Sequence, residues 1–138
     1  MNPIYSTSAT ATGDGRNGHS RTDDGLLDVD VRIPVAMGGQ GGATNPEQLF
    51  AAGYAACFHS ALKMLARQQK LDVDGTEVTV HVSLGPAESG GYRLAVGIHL
   101  HAPALEKDAA QALLEQAHQV CPYSNATRGN IDVELTVA

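Results

Sequence analysis

Four segments of the chain alternate apolar and polar residues with a period of two, and this pattern limits the fold more than any other feature. The alternating segments are 28–35, 78–84, 92–101 and 131–137. Alternation over that length predicts β-strands with one buried face, as in antiparallel sheets. The glycine-containing stretch 85–91 is predicted to form the turn between the middle two strands. Residues 4–12, rich in Thr and Ser, are predicted to form an additional first strand.

Two further segments have the pattern of helices. The first has Asn45 as its N-cap and Pro46 at its first helical position. One stripe of this helix is made of small and apolar side chains, which predicts burial of that stripe against the sheet. The stripe consists of Leu49, Phe50, Gly53, Cys57, Ser60, Ala61 and Met64. The second helix is predicted over 105–120, and Pro122 either ends it or begins another turn.

The order of strands, helix, strands, helix and strand predicts an α+β fold. A length of 138 residues fits one domain, 1–138, with one substantial core. A hydrophobic content of 43% with 17% charged residues excludes the disordered class. The net charge of −6, the absence of a dense basic run and the scarcity of aromatic residues argue against nucleic-acid binding.

The chain start shows no basic flank followed by an apolar stretch, so no signal peptide is predicted. No apolar run in the sequence approaches the ~20 residues that cross a bilayer, so no membrane span is predicted. These observations predict a cytoplasmic protein. Cysteines stay reduced in the cytoplasm unless their chemistry uses oxidation.

The two cysteines, Cys57 and Cys121, suggest thiol redox chemistry. A thiolate can attack a peroxide, and a second thiol can trap the resulting sulfenic acid as a disulfide before irreversible oxidation. The two positions are 64 residues apart, so only the fold can bring them together. The alternative is that both are small buried hydrophobic residues. They do not form the Cys-x-x-Cys pattern of thioredoxin-like enzymes or zinc sites.

Two long motifs surround these cysteines. They read TNPEQLFAAG at 44–53, leading to ACF at 56–58, and VCPYSNATRGNI at 120–131. Together they resemble the organic hydroperoxide resistance (Ohr) family, within the wider OsmC-like superfamily, and the resemblance covers nearly the whole chain. It implies an OsmC-like fold with antiparallel-rich sheets packed on a long central helix, in an intertwined homodimer.

The resemblance also implies roles for individual residues. Cys57 would be the peroxidatic thiol and Cys121 the resolving thiol. Glu47 would orient an arginine that stabilises the Cys57 thiolate and the charge developing on the peroxide. That arginine would be Arg16, in the run ATGDGR at 11–16, which has one residue more than the usual family pattern. Arg21 therefore remains the alternative.

Helix geometry limits how these residues can meet. Glu47 and Cys57 are ten residues apart, which on a straight helix is ~15 Å of rise, too far for both to contact one arginine. Either the helix breaks near Gly53, or one site combines groups from two chains. The family's homodimer agrees with the second alternative, and an obligate dimer is predicted.

The activity implied by the resemblance is the reduction of organic hydroperoxides to alcohols through a Cys57 sulfenic acid and a Cys57–Cys121 disulfide. The reductant would be a dihydrolipoyl group on a lipoylated carrier protein, with no cofactor bound. Five side chains are candidates for an apolar pocket that favours lipid-like hydroperoxides, although each one singly fits ordinary core. They are Met37, Leu49, Phe50, Phe58 and Met64.

Three other classes of function compete with a peroxidase. A thiol redox sensor would use the same cysteines without turnover, and a small-ligand-binding module would keep them inert. A peroxide-sensing DNA-binding regulator would need a basic recognition helix, which the sequence lacks. A metal at His99 and His101, which share one face of a strand, has no evident third ligand.

Overall fold

The computed structural model describes all residues from Met1 to Ala138. The chain divides into two compact units, 1–49 and 50–138, and each contains one three-stranded sheet. Strands and helices occur in separate runs along the chain, with three strands before the first α-helix and two between it and the second, so the predicted α+β class is confirmed. That the two units form one domain stays a prediction.

The first unit is built on an antiparallel sheet with strand order β1-β2-β3. Its strands are β1 (Ala9–Asp14), β2 (Asn17–Thr22) and β3 (Asp28–Asp30). A two-residue turn, Gly15–Arg16, joins β1 to β2, and Gly15 has φ = 58°, a conformation that hairpin turns of this length require. The prediction of a strand over 4–12 was wrong by several residues, and β2 was missed because NGHSRT has no apolar alternation.

The predicted strand over 28–35 is much shorter in the structure. Only Asp28–Asp30 pairs as a strand, and Val31 then forms a single parallel bridge with Thr44. Pro34 has no backbone N–H to continue a ladder, and a 3₁₀ turn follows at Val35–Met37. The apolar alternation of this stretch is therefore real, but the proline limits its pairing.

The second unit contains the two longest strands. These are β4 (Glu77–Pro86) and β5 (Tyr92–His101), which pair antiparallel along their full length as predicted. The last strand, β6 (Val133–Val137), pairs with β5 in parallel. The helices between β5 and β6 return the chain to the starting edge, which a parallel pair requires. The prediction of antiparallel pairing was wrong for this strand.

The long helix α1 (Pro46–Gln69) begins as predicted, because the side chain of Asn45 accepts a hydrogen bond from the Gln48 N–H at 2.9 Å. Its buried face differs from the predicted stripe. The buried residues are Tyr54, Phe58, Ala61, Leu62 and Ala66. Cys57 is half-buried at the edge of this face, and Met64 is exposed, because the large rings of Tyr54 and Phe58 rather than the small residues face the core.

Two helices follow β5. They are α2 (Lys107–Val120) and the six-residue α3 (Pro122–Thr127), with Cys121 between them. The buried side chains of α2 share one core with α1 and the β4-β5-β6 sheet. Pro122 occupies the first position of α3, a position where its missing N–H costs nothing. It therefore begins another helix, one of the two alternatives that the sequence left open.

Helix α1 is, by length and composition only, long and apolar enough to cross a membrane. A core helix of a soluble protein meets the same criterion, so one such helix is weak evidence for a span. Tyr54, Phe58, Leu62 and Ala66 are fully buried along its length. The core of the second unit therefore accounts for the apolar character of these four residues, whereas 28% of the apolar window is buried.

Candidate active site

The two cysteines lie side by side in the second unit. The Sγ atoms of Cys57 and Cys121 are 3.7 Å apart, and both thiols are free. Cys57 projects from the middle of α1, and Cys121 is the residue at which α2 ends and α3 begins. A disulfide has an S–S length of about 2.05 Å, so a small movement of one side chain joins the pair.

The two thiols differ in accessibility. Cys121 is fully buried in the core cluster, whereas Cys57 is only half-buried. A reagent that arrives from solvent therefore meets Cys57 first. This asymmetry agrees with the predicted division into an attacking and a resolving thiol, although the roles themselves stay predictions.

Burial raises the pKa of the Cys57 thiol, and the neighbouring Cys121 adds to the rise. The backbone N–H of Tyr123 donates a hydrogen bond to Cys57, and this bond opposes the rise of the pKa. None of these groups carries a positive charge, so they do not by themselves produce the thiolate that nucleophilic attack requires. A cation beside the Cys57 sulfur is what would lower this pKa and produce the thiolate.

The first unit contains an arginine whose side chain is fixed by a carboxylate. Arg16, in the turn between β1 and β2, donates two hydrogen bonds of 2.8 Å to the two carboxylate oxygens of Glu47. This bidentate pair fixes the plane of the guanidinium. The bond to Arg16 lowers the pKa of Glu47, and the bond to Glu47 raises the pKa of Arg16, so both stay charged at neutral pH. The predicted pairing of these two residues is therefore present.

Arg21, the alternative arginine, has different surroundings. Its Nε lies 3.6 Å from Asp28 Oδ2, and its side chain is 53% exposed. It also donates a hydrogen bond to the Thr22 carbonyl. No carboxylate fixes its guanidinium in two places, so the geometry favours Arg16 as the oriented arginine.

The continuity of helix α1 concerns whether one site uses residues of one chain or of two. It runs without interruption from Pro46 to Gln69, so the break considered near Gly53 is absent. Gly53 has another role, because a Cβ there would lie 2.7 Å from the Tyr123 hydroxyl oxygen. The glycine thus lets the Tyr123 ring lie against α1 beside Cys57.

The five candidate pocket residues are dispersed. Met37 lies in the 3₁₀ turn of the first unit and is partly exposed, and Leu49 is half-buried in the first turns of α1. Phe58 is fully buried in the core, and Met64 is exposed. Phe50 is half-buried, and its ring lies 6.1 Å from that of Tyr123 in an edge-on arrangement.

Sequence reasoning missed the residues that surround the two thiols. Tyr123 contributes a backbone N–H to Cys57 and an aromatic ring that packs on Tyr54. Tyr54 in turn bonds to Ser124 and Thr127. One available signal was Pro122 directly after Cys121, since proline favours the first position of a helix and the first N–H groups of any helix have no partner within it.

His59, His81 and His99 each contact another side chain of the second unit. The Nε2 atom of His59 lies 2.9 Å from Thr76 Oγ1, within hydrogen-bond distance. His99 lies against His81, with ring centroids 4.9 Å apart. No group of three or more His, Cys, Asp or Glu side chains is arranged to hold a metal ion.

We expect the protein to lose stability in mild acid. Burial lowers the pKa of His59 and of His118, helped by Lys63 and Arg128 respectively. As the pH falls, these histidines are protonated at a higher pH in the unfolded chain than in the folded protein. Their contribution to the free energy of unfolding is therefore complete above about pH 6.5, and it is lost as the pH falls through the lower pKa values of the folded protein. Urea unfolding at several pH values checks this.

The variants His59→Gln and His118→Gln should each flatten that pH dependence. The exposed His19 has the opposite effect on the pH dependence of stability, because its hydrogen bonds to Asp30 and, to a smaller extent, Asp28 raise its pKa. Its contribution is present below the unfolded pKa and disappears as the pH rises through the folded value. An unchanged acid slope in both glutamine variants would contradict the assignment.

Comparison with known proteins adds independent information. Residues 39–136 match the family model described as OsmC-like protein. The chain is 51% identical over 137 residues to the organic hydroperoxide resistance protein of Xanthomonas axonopodis pv. citri, covering 98% of this chain and 95% of that protein. It is 47% identical to the organic hydroperoxide resistance protein OhrB of Bacillus subtilis, covering 96% of each chain.

A solved structure is similar along the whole chain. The crystal structure of an organic hydroperoxide resistance protein from Legionella pneumophila superposes with a TM-score of 0.94 at 52% sequence identity, covering 99% of both chains. The similarity of fold and sequence therefore extends over both units and includes the segments that carry the two thiols.

Proposed function

Because the chain belongs to the OsmC-like protein family, within its organic hydroperoxide resistance branch, we propose that it is a cysteine-based peroxidase that reduces organic hydroperoxides to alcohols. The names of its relatives support a role in resistance to organic hydroperoxides under oxidative stress. The observation that carries the proposal is the pair of free thiols, with sulfurs 3.7 Å apart and only Cys57 accessible.

The first step is attack by the Cys57 thiolate on the terminal oxygen of the hydroperoxide. The S–O bond forms as the O–O bond breaks, and the departing alkoxide takes up a proton and leaves as the alcohol. Cys57 is left as a sulfenic acid. The Tyr123 N–H supports the thiolate. Arg16, oriented by Glu47, supplies the positive charge that lowers the pKa of Cys57 and stabilises the departing oxygen.

The second step closes the disulfide. The Cys121 sulfur attacks the Cys57 sulfur, the S–S bond forms, the S–O bond breaks, and water leaves with the thiol proton. The burial of Cys121 supports this role, because peroxide has no direct route to its sulfur.

The third step restores both thiols by exchange with an external dithiol. A dihydrolipoyl group on a lipoylated carrier protein attacks the disulfide and closes its own ring as it is oxidised. No bound cofactor takes part. We assign the reaction to the cytoplasm, where the two cysteines stay reduced between turnovers.

We expect long-chain and aromatic hydroperoxides to be reduced faster than hydrogen peroxide. Phe50 and the Tyr123 ring form a half-exposed aromatic surface next to the Cys57 hydrogen bond. Met37, Leu49, Phe58 and Met64 stay pocket candidates from the sequence alone. Single-turnover oxidation by cumene hydroperoxide and by hydrogen peroxide checks this, and equal rate constants would remove the pocket from the proposal.

The unbroken helix α1 supports a site that combines two chains, because ten helical residues separate Glu47 from Cys57. We therefore propose an intertwined homodimer in which one chain contributes Arg16 and Glu47 and the other contributes the thiols. A fully active monomer by light scattering would contradict this.

A complementation experiment tests the shared site more directly. Arg16→Ala and Cys57→Ser chains, co-expressed with different tags, should form mixed dimers that contain one complete site. With random pairing, about a quarter of all sites are then intact. If each site belonged to one chain, the mixture would have no more activity than the two separate variants.

The reaction itself is tested by mixing the reduced protein with a limiting organic hydroperoxide and following the Cys57–Cys121 disulfide by mass spectrometry. Rapid disulfide formation supports the peroxidase, and addition of dihydrolipoamide then tests turnover. A Cys57 that stays reduced would refute the proposal and favour a ligand-binding module.

A further inference from the structure

A buried polar cluster joins the three helices around the thiols. The Tyr54 hydroxyl on α1 lies 2.9 Å from Ser124 Oγ and 3.2 Å from Thr127 Oγ1, both on α3. His118 Nδ1 on α2 lies 2.8 Å from the same Ser124 oxygen. Tyr54, Ser124 and Thr127 are almost completely inaccessible to solvent. These four residues are called the α3 anchor below.

The hydrogens of the α3 anchor can be assigned from the number of donors. Thr127 Oγ1 donates to the Ser124 carbonyl oxygen at 3.2 Å. Each hydroxyl has one proton, so Tyr54 then donates to Thr127 and Ser124 donates to Tyr54. His118 must donate from Nδ1 to Ser124. No buried side-chain nitrogen or oxygen lacks a partner, so removing one hydroxyl would leave the others incompletely bonded.

Helix α3 depends on this cluster for its position. It has six residues, and so short a helix is not stable without tertiary contacts. Its start carries the two groups that act on Cys57, which are the Cys121 sulfur and the Tyr123 N–H. The Tyr54 hydroxyl bonds to two residues one turn apart on α3, so it fixes both the position and the rotation of this helix.

The position of α3 matters for the fate of the sulfenic acid. Cys121 must approach from 3.7 Å to about the length of a disulfide before a second hydroperoxide molecule oxidises the sulfenic acid to the sulfinic acid. Both reactions start from the same intermediate. The ratio of their rates therefore depends on how well α3 holds the Cys121 sulfur.

We infer that Tyr54 is a positioning residue, which through the α3 anchor holds Cys121 in reach of the Cys57 sulfenic acid so that disulfide formation outruns over-oxidation. The inference rests on the proposed peroxidase function. It concerns only the second step, in which the S–S bond forms and water leaves.

The test is the Tyr54→Phe variant, which removes one hydroxyl and keeps the ring packed between Phe50, Phe58 and Tyr123. We expect Cys57 oxidation in stopped flow to keep its rate constant, and disulfide formation to slow about tenfold as the hydrogen bonds to α3 are lost. With excess cumene hydroperoxide, mass spectrometry should find more Cys57 sulfinic acid than in the wild type.

Thr76→Val is the matched control. It also removes a buried hydroxyl that is bonded to α1, in this case to His59, and it does not touch α3. We expect its partition between disulfide and sulfinic acid to match the wild type. An equal change in Thr76→Val and Tyr54→Phe would assign the effect to general destabilisation and overturn the inference.

Ser124→Ala provides a second variant if Tyr54→Phe does not fold. If the variant that folds forms disulfide and sulfinic acid in the same ratio as the wild type, the inference is overturned. The wild type in the same assay separates the two levels of the argument. If it forms no disulfide, the peroxidase proposal fails; if it does and the variants match it, only the positioning role of Tyr54 fails.

Discussion

The Cys57→Ser variant is expected to reduce organic hydroperoxides about 10³-fold more slowly than the wild type, or not measurably, because a serine hydroxyl lacks the nucleophilicity of a thiolate. Cys57 is the accessible member of the pair, so no other accessible thiol can take its place. Consumption of cumene hydroperoxide with dihydrolipoamide as the reductant measures the effect. Near-normal turnover would refute the peroxidase mechanism.

Cys121→Ser is the informative partner of that variant. It keeps the attacking thiol, so one equivalent of hydroperoxide should still be consumed in a single turnover. It has no second sulfur for the disulfide, so the Cys57 sulfenic acid should accumulate and then over-oxidise. A variant that also loses the first equivalent would indicate that Cys121 does more than resolve the sulfenic acid. Thermal unfolding of both variants controls for changes in stability.

The second large effect is expected for Arg16→Ala, which should slow Cys57 oxidation by organic hydroperoxide about 10²- to 10³-fold. Burial raises the pKa of Cys57, and the Tyr123 N–H only partly opposes this. Loss of the guanidinium should move the pH profile of Cys57 oxidation to higher pH, because less thiolate is present at neutrality. Stopped-flow oxidation at several pH values measures both changes.

Two further variants make this test specific. Glu47→Gln keeps the arginine and weakens its orientation, so a smaller loss in the same direction is expected. Arg21→Ala removes a half-exposed arginine that contacts Asp28, and it should leave the rate constant unchanged. If Arg21→Ala were inactive and Arg16→Ala active, the assignment of the arginine would be wrong.

Local sequence signals predicted the elements whose pattern is strong. The alternation in β4 and β5 gave these strands nearly to the residue, and Asn45 with Pro46 gave the start of α1. Strand β2 was missed because its six residues contain no apolar alternation. The parallel pairing of β6 depends on the path of α2 and α3, which no local pattern encodes.

The sequence motifs pointed to the two thiols of the candidate site, but not to the residues around them or to their electrostatics. The motifs singled out Cys57 and Cys121, whereas their 3.7 Å separation comes from the fold. A lowered thiol pKa was expected, and the local environment raises it, because burial outweighs one N–H bond. Tyr54 gave no signal in the sequence, since a tyrosine on an apolar helix face is usually ordinary core.

The closeness of two sulfurs that are 64 positions apart couples folding to the redox state of the chain. A cross-link over that distance restricts the unfolded chain by about 4 kcal/mol in the loop-closure model. By linkage, the folded chain favours its disulfide by a similar amount relative to the unfolded chain. A monothiol reacts with this stabilised disulfide only at the concentration that it has in solution. A dithiol closes its own ring as it is oxidised, so its second thiol reacts within one molecule, as the two protein thiols do. We therefore propose that the closeness of the two sulfurs in the fold favours a dithiol over a monothiol as the reductant.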